Sequence, residues 1–245
     1  ALTGTAADIT AEGTGTLKFE VGAASGDDYT VDLEDSDATV VFGVRTVNDN
    51  DGSGSLQFNN ADGKTIELSK SNTAGSFAVN TTDEEEGAEI TVNITTSGTA
   101  MIIGDKASQN DSEVDLTTIN LTKSSITDVT ELQIFGDVVL NAGEADFEVS
   151  GGQISHHESG GSGDANFDAT LTLTGSGTFR ADAFVVNNFD ASAYTGRTFI
   201  TSNTDNDASA SYKLGSADDV FTTGSSGGDA MAVSLGAGND TVTAT

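Results

Sequence analysis

The sequence predicts an all-β protein in which an irregular, β-sandwich-like region over residues 1–98 precedes a parallel, β-roll-like β-solenoid over residues 99–245. Helical periodicity is almost absent, and short runs of Val, Ile, Thr and Phe alternate with clusters of Gly, Asn, Asp and Ser. Apolar residues make up 36% of the 245 residues and include 12 Phe, which distinguishes the chain from an acidic disordered polypeptide. A turn motif also recurs near the end of the sequence.

The first region contains short β-prone runs separated by turn-forming residues. Residues 64–68, KTIEL, alternate polar and apolar side chains as a half-buried strand does. We expect antiparallel pairing here. The predicted strands are 16–21, 29–33, 39–47, 55–58, 65–68, 76–79 and 89–95.

Beyond about residue 99 the runs follow one another more closely, and most end in Asn, Asp or Gly. A parallel coil needs such a pattern, because each strand buries its inward side chains on the next coil. A second antiparallel sandwich is the alternative, since strand spacing does not fix strand direction. The predicted strands are 115–121, 129–134, 137–140, 145–149, 170–174, 178–179, 183–186, 197–201 and 211–214, followed by two terminal motifs.

The net charge limits the possible partners. The chain has 39 Asp and Glu against 9 Lys and Arg, for a formal charge of −30. Proteins that bind nucleic acid present clustered basic residues, so we expect no nucleic-acid partner. Such a charge also destabilises a compact monomer unless cations bind or the surroundings are saline.

The cellular location is predicted from composition. The absence of Cys excludes a disulfide framework, and few cysteines together with many acids favour a secreted bacterial protein. No apolar run approaches the length of a membrane span, so we expect no membrane insertion. The sequence begins with Ala1, which is typical of a processed product or a fragment.

The recurring motif lies in the last part of the chain. Residues 214–222 read LGSADDVFT, and residues 235–243 read LGAGNDTVT. Both match the order of the repeat G-G-x-G-x-D-x-U-x, in which the apolar U residue points inward between stacked strands. We therefore expect Phe221 and Val242 to be buried.

The same motifs supply oxygen atoms suited to Ca²⁺. Calcium takes about six to eight oxygen ligands, and a turn offers its carbonyls readily where Gly, Asn or Asp adopts positive φ. We expect positive φ at Gly236, Gly238 and Asn239. Ordinary turns in an acidic β protein are the alternative. The candidate calcium ligands are Gly215, Ala217, Asp218, Asp219, Gly236, Gly238, Asn239 and Asp240.

Spacing predicts that the two motifs stack. Gly215 and Gly236 are 21 residues apart, roughly one coil of a parallel β-roll, so equivalent turns would lie about 4.8 Å apart. Asp219 and Asp240 would repel at that separation unless a cation neutralised them. Calcium is therefore expected to be a condition of folding.

Other candidate sites are less specific. Residues 26–31, GDDYTV, echo the terminal turn and make Asp27 and Asp28 further candidate calcium ligands, with a solvated turn as the alternative. His156 and His157 lie between Gly-Gly pairs, which predicts a loop. Neighbouring residues on an extended chain point to opposite faces, so the two imidazoles converge poorly on a metal. No nucleophile motif is found, and we expect no enzymatic activity.

The LGAGNDTVT segment, the Thr-, Asp- and Gly-rich texture before it and the low Cys and Lys content resemble RTX-type bacterial surface-layer and related extracellular proteins. The resemblance covers residues 115–245 and lacks the tandem nine-residue spacing of that family. It implies export, calcium ions bound in β-roll turns, and assembly into lattices or surface fibres.

We therefore expect a secreted, calcium-dependent, self-assembling structural protein of the extracellular cell surface. Its partners would be further copies, joined through calcium bridges and strand edges, and cell-surface polysaccharide. A calcium-dependent adhesin or carbohydrate-binding module is one alternative, although the lack of Trp and the presence of only 3 Tyr count against sugar stacking. A secreted polysaccharide-active enzyme is the other.

Overall fold

The structure is a computed structural model that describes thirteen segments of the chain. They are residues 7–10, 12–19, 29–36, 39–42, 56–68, 76–82, 88–95, 100–103, 114–123, 125–157, 169–203, 210–224 and 231–244. These segments form an all-β protein without a helix. Nothing in them could cross a membrane as a long apolar helix.

The described strands are short at both ends of the chain and longest in the middle. They are β1 (Ala7–Thr10), β2 (Thr16–Phe19), β3 (Tyr29–Asp32), β4 (Thr39–Phe42), β5 (Leu56–Asn59), β6 (Thr65–Leu68), β7 (Ser76–Thr82), β8 (Ala88–Ile94), β9 (Ala100–Ile103), β10 (Val114–Leu121), β11 (Ser125–Phe135), β12 (Asp137–Asn141), β13 (Asp146–His157), β14 (Thr170–Thr174), β15 (Thr178–Val185), β16 (Asn188–Asp190), β17 (Arg197–Ser202), β18 (Ala210–Lys213), β19 (Val220–Thr223), β20 (Met231–Ser234) and β21 (Thr241–Ala244).

The strands form two parallel sheets that the chain visits alternately. All odd-numbered strands form an 11-stranded sheet, and all even-numbered strands form a 10-stranded sheet. Within each sheet, the neighbours of a strand are the strands two places before and two places after it. After leaving a strand, the chain therefore passes through the opposite sheet before it returns.

The antiparallel pairing expected for residues 1–98 is wrong for the described strands. β1 pairs with β3, β2 with β4 and β3 with β5, each in parallel. A chain that crosses to the other sheet after every strand comes back in its original direction, which produces parallel pairs. The spacing of short strands is the same in both arrangements.

Strand pairing also crosses the predicted division at residue 98. β7 pairs with β9 and β8 pairs with β10, so both sheets continue past this point. The division into two domains stays a prediction.

The core lies between the two sheets and becomes aromatic toward the C-terminal half. Phe179 of β15 stacks on Phe147 of β13 at 5.9 Å and on Phe189 of β16 at 6.0 Å. Phe184 packs edge-on against Phe189 at 5.0 Å. All four rings are at most 2% exposed. Burial of each ring contributes about 1.5–3 kcal/mol, so this cluster is a principal source of stability.

Side-chain ladders accompany the parallel register. Asn120 of β10 donates a 3.0 Å hydrogen bond from its side-chain amide to the side-chain oxygen of Asn93, and Asn141 donates in the same way to Asn120 at 3.3 Å. Identical amides at equivalent positions of successive parallel strands satisfy one another. The three strands β8, β10 and β12 are therefore held in register by side chains as well as by backbone.

Candidate functional site

Successive turns stack on one side of the molecule, where an even-numbered strand leads into the next odd-numbered one. We call this stack the turn column, defined by residues 142–145, 175–177, 191–196, 214–219 and 235–240. Each turn hydrogen-bonds to the previous one: Ser216 N–H donates to the Tyr194 carbonyl at 3.1 Å, and Ala237 N–H donates to the Gly215 carbonyl at 3.0 Å. Both predicted calcium motifs lie in the turn column.

Glycines of the turn column serve two purposes. Gly236 and Gly238 have φ of +78° and +125°, values that side-chain-bearing residues rarely adopt. Gly215 lacks a positive φ, but a Cβ at this position would overlap the Tyr194 carbonyl oxygen. Gly215 is therefore required by close approach of the turns. The positive φ predicted for Asn239 is wrong, because Asn60 is the one non-glycine residue with positive φ among the described segments.

Asp219 and Asp240 stack in register, as the 21-residue spacing predicts. Val220 pairs with Thr241 at the start of β19 and β21. Asp219 N–H donates a 2.9 Å hydrogen bond to Oδ1 of Asp240, and Thr198 N–H donates a 2.7 Å hydrogen bond to Oδ1 of Asp219. Each carboxylate thus accepts a backbone N–H from a residue 21 positions earlier in the chain.

A parallel series of contacts involves the preceding residues. Asn239 N–H donates to Oδ1 of Asp218 at 2.8 Å, and Arg197 Nε donates to the Asp218 carbonyl at 2.8 Å. Farther down the column, Thr178 N–H donates to Oδ1 of Asp146 at 2.7 Å. Carboxylate to backbone hydrogen bonds therefore join turns along the column.

These contacts change the expected role of the cation. From the sequence, we expect calcium to offset repulsion between stacked carboxylates. In the structure, one oxygen of Asp219, Asp218 and Asp240 already accepts a backbone N–H, and such hydrogen bonds stabilise the ionised form. The turns can therefore stack without an ion between each pair of carboxylates.

The second oxygen of Asp219 is the exception. Asp219 is only 1% exposed, and its Oδ2 has no hydrogen bond of good geometry within the described residues, although the Thr198 hydroxyl and the Gly215 N–H lie near enough to the carboxylate to favour its ionised form. The buried hydroxyl group of Tyr194 has no partner among the described residues either. A buried carboxylate oxygen without a partner is costly, and an ordered water or a cation is the usual remedy.

The electrostatics around Asp219 agree with that geometry. Burial raises the pKa of Asp219 above its ordinary value, the Thr198 hydrogen bonds oppose the rise, and the charge of Asp240 adds to it. Burial, with the charges of Asp146 and Asp219, raises the pKa of Tyr194 to about 12. Burial and neighbouring negative charge thus both disfavour ionisation of these two groups, and a bound cation would offset both effects.

The fit to a cation rests on one carboxylate and on backbone oxygens. Within the described ranges, no group of three or more histidine, aspartate or glutamate side chains is placed to hold a metal ion. The Gly215 and Asp219 carbonyls accept N–H groups of Ala237 and Thr241, which leaves each carbonyl oxygen a second lone pair. A calcium ion at Asp219 would need main-chain carbonyls or water for most of its ligands, which number about six to eight.

The inward position that Asp219 occupies holds aromatic residues earlier in the chain. Phe147 pairs with Phe179, and Phe179 pairs with Thr198. The hydrogen bonds continue this line from Thr198 to Asp219 and Asp240. At this equivalent position, the side chain is therefore an aromatic ring in β13 and β15, a hydroxyl in β17 and a carboxylate in the two following coils. The sequence motifs alone did not indicate that the Asp219 side chain is buried.

The two apolar motif residues have different environments. Phe221 is fully buried, as predicted, and its ring lies 5.1 Å from that of Tyr212. Val242 is 49% exposed, so its predicted burial is wrong. It lies on β21, which pairs with β19 and has no described strand on its other side.

Two further predictions concern other segments. Asp27 and Asp28 fall outside the described residues. The loop predicted around His156 is wrong: the residue lies in β13, is 6% exposed and donates from Nε2 to the Gly136 carbonyl at 2.5 Å. Gly151 and Gly152 lie inside this strand, at a point where its register with β15 is irregular. In the sequence, such a glycine pair looks the same as a turn.

Comparisons of the chain with models of known protein families, with curated proteins and with solved structures found no match.

Proposed function

We propose that this protein is a secreted, calcium-dependent structural subunit of the bacterial cell surface, built as a parallel β-solenoid that assembles with further copies. The observation that carries the proposal is the strict alternation of strands between two parallel sheets. Two consecutive strands with their connecting turns then make one coil, and stacking of the coils gives an extended body. Extended repetitive bodies suit fibres and lattices.

Several contacts support coil stacking. The asparagine ladder joins β8, β10 and β12. Glycines of the turn column allow neighbouring turns to approach closely, and carboxylates bond to backbone N–H groups of adjacent turns. Each coil contacts mainly its two neighbours, so the architecture can extend without a change of design.

Calcium is proposed to complete the turn column. The chain carries a formal charge of −30, and Asp219 has a buried oxygen without a hydrogen bond of good geometry among the described residues. Bound calcium would supply positive charge at Oδ2 of Asp219. The chain itself holds the other oxygen by the Thr198 N–H, and the nearby side chains of Tyr194 and Phe221 are both fully buried.

The side of β21 that has no described strand beside it is proposed to pair with further polypeptide, either more of the same chain or a second copy. Thr241 N–H donates to the Asp219 carbonyl. Because alternate residues of a parallel strand donate to opposite sides, the N–H of Val242 points to the side away from β19. A half-exposed Val on this side of β21 favours addition of a further strand, which a continuation of the chain or the parallel strands of a second copy could supply.

Light scattering and electron microscopy of the purified protein, in millimolar calcium and in chelator, test this proposal. We expect large ordered assemblies in calcium and smaller species in chelator. Val242→Pro removes the outward N–H while sparing the bonds to β19, and should block assembly. Val242→Thr is the matched control and should assemble. Both variants are measured in calcium. Identical size distributions for the unmodified protein in calcium, the unmodified protein in chelator, Val242→Pro and Val242→Thr would refute the proposal.

A further inference from the structure

The outer face of the 11-stranded sheet carries a cleft of about 610 Å³ that is separate from the turn column. Glu131 of β11, Gly151, Gly152 and Gln153 of β13, and Asp182 and Ala183 of β15 line it. These residues alternate with inward, buried side chains, namely Leu132, Ile154, Ala181 and Phe184. The cleft therefore faces away from the core.

Aligned irregularities in three adjacent strands produce the cleft. The register between β11 and β13 shifts on both sides of Val129. The register between β13 and β15 shifts between Val149 and Ile154, and that between β15 and β17 shifts between Ala181 and Phe184. Bulges at the same level of neighbouring strands open a crease across the sheet, and this crease runs in the direction in which the strands stack.

The bulge in β13 leaves backbone groups outside the ladders. Val149 and Gln153 have partners on β11, whereas Ser150, Gly151 and Gly152 have none there or on β15. Gly151 has φ of +72°, which turns its peptide groups out of the ladder direction. The main chain of Gly151 and Gly152, which no side chain covers, therefore lines the cleft.

Acceptors flank this bare backbone on both sides. Glu131 and Asp182 lie on β11 and β15, which are two strand spacings, roughly 9.6 Å, apart. Gln133 donates a 2.7 Å hydrogen bond to Oε1 of Glu131 and so orients its carboxylate. Asp182 is exposed. Neither Lys nor Arg is among the described residues that line the cleft.

We propose that this cleft binds a neutral oligosaccharide through hydrogen bonds to its hydroxyl groups. Sugar hydroxyls both donate and accept, which matches carboxylates alongside backbone and amide donors. Ala183 and the two glycines offer a small apolar floor for the C–H face of a ring. The lack of basic residues and the charge of −30 disfavour an anionic chain.

Calorimetric titration of the full chain with neutral glucan, mannan and galactan hexasaccharides, and with hexagalacturonate, tests this site. We expect at least one neutral hexasaccharide to bind, in calcium and in chelator alike, and hexagalacturonate to bind more weakly. Persistence in chelator separates this site from the proposed calcium column. Absence of binding by every neutral hexasaccharide at 10 mM would overturn the proposal.

Variants locate the binding. Asp182→Asn and Glu131→Gln should each weaken affinity about tenfold, since each removes a charged hydrogen-bond acceptor, and Ala183→Leu should weaken it further by filling the cleft. Glu144→Gln, an exposed acid in the turn column, is the control and should bind as the unmodified chain does. Because Asp182 is exposed, Asp182→Asn is expected to fold. Its affinity therefore tests the site even if Ala183→Leu does not fold. Unchanged affinity in Asp182→Asn and Glu131→Gln would overturn the assignment.

Discussion

Oδ1 of Asp240 accepts a 2.9 Å hydrogen bond from the backbone N–H of Asp219, 21 residues earlier. The contact joins two consecutive turns through a side chain and a main chain. It makes the motif aspartate a structural bracket between turns, whether or not it also contacts a cation.

The first prediction concerns this bracket. Asp240→Ala removes the acceptor, and a typical hydrogen bond of this kind stabilises by about 1 kcal/mol. We therefore expect the Asp219 amide hydrogen to exchange roughly fivefold faster, measured by NMR hydrogen exchange. Asp240→Asn retains a side-chain oxygen and should leave the rate nearly unchanged. Equal rates in Asp240→Ala and the unmodified protein would show that the bracket does not form.

A second prediction separates the two uses of glycine in the turn column. Gly196 does not have positive φ, but a Cβ there would overlap the Gly177 carbonyl oxygen. Gly143 has φ of +58° and open space around a Cβ. Gly196→Ala should lower the free energy of unfolding by about 3 kcal/mol, because backbone must move, and Gly143→Ala by about 1 kcal/mol. Urea denaturation measures both. A larger loss in Gly143→Ala would contradict the close stacking of the turns.

The aromatic core gives a third prediction. Phe179 is fully buried among Phe147, Phe184 and Phe189, so Phe179→Ala should cost about 3–5 kcal/mol in urea denaturation. Phe199 lies outside the core with Arg180 and Arg197 at 4.4 and 4.8 Å from its ring. Phe199→Ala should cost about 1 kcal/mol. Similar losses of unfolding free energy in Phe179→Ala and Phe199→Ala would contradict this assignment of the core.

Asp190 gives a pH-dependent prediction. The hydroxyl of Ser192 at 2.6 Å and Lys213 Nζ at 2.9 Å lower the pKa of Asp190 to about 2. Because the pKa is lower in the folded protein, the Asp190 carboxylate stabilises the fold at pH values above its unfolded pKa, near 3.8. This contribution is lost as the pH falls from about 3.8 to about 2. Lys213 is more than half exposed, so solvent limits the contribution to about 1 kcal/mol.

Asp190→Asn tests this directly. The unmodified protein should be more stable than Asp190→Asn at pH 6, and the difference in unfolding free energy should vanish near pH 2. Other carboxyl groups titrate in both proteins and cancel in the difference. A difference that stays constant between pH 6 and pH 2 would exclude the assigned pKa direction.

A fifth prediction concerns the buried charge of Asp219. In chelator, Asp219→Asn should be at least as stable as the unmodified protein, because the amide requires no desolvation of a charge. Calcium at about one hundred times its Kd should stabilise the unmodified protein by about 2.7 kcal/mol and leave Asp219→Asn unchanged. Thermal unfolding in calcium and in chelator measures both. An equal response of the two proteins would remove Asp219 from the calcium site.

Strand positions were largely predictable from the sequence, whereas strand direction was not. Runs such as TIEL in β6 and TLTLT in β14 alternate clearly, and their periodicity is local. β1, β9, β16 and β20 were missed; AMII of β9, for example, is apolar throughout and so shows no alternation. Parallel pairing depends on the crossover to the opposite sheet, which leaves no mark on strand composition.

The candidate site shows the same division. The 21-residue spacing predicted the stacking of Asp219 on Asp240, since a repeated motif implies repeated geometry. The burial of Asp219 was not predictable, because it follows from the line of inward positions that begins with Phe147 and Phe179. The cleft beside Gly151 was missed for a related reason: a bulge inside a long strand has the same Gly-Gly signal as a loop.

A crystal structure determined in millimolar calcium, with anomalous diffraction data, would show whether Asp219 binds calcium. We predict an anomalous peak about 2.3–2.6 Å from Oδ2 of Asp219, with the hydrogen bond from Thr198 N–H to Oδ1 retained. A peak-free map in which Oδ2 contacts only water or the Tyr194 hydroxyl would contradict it.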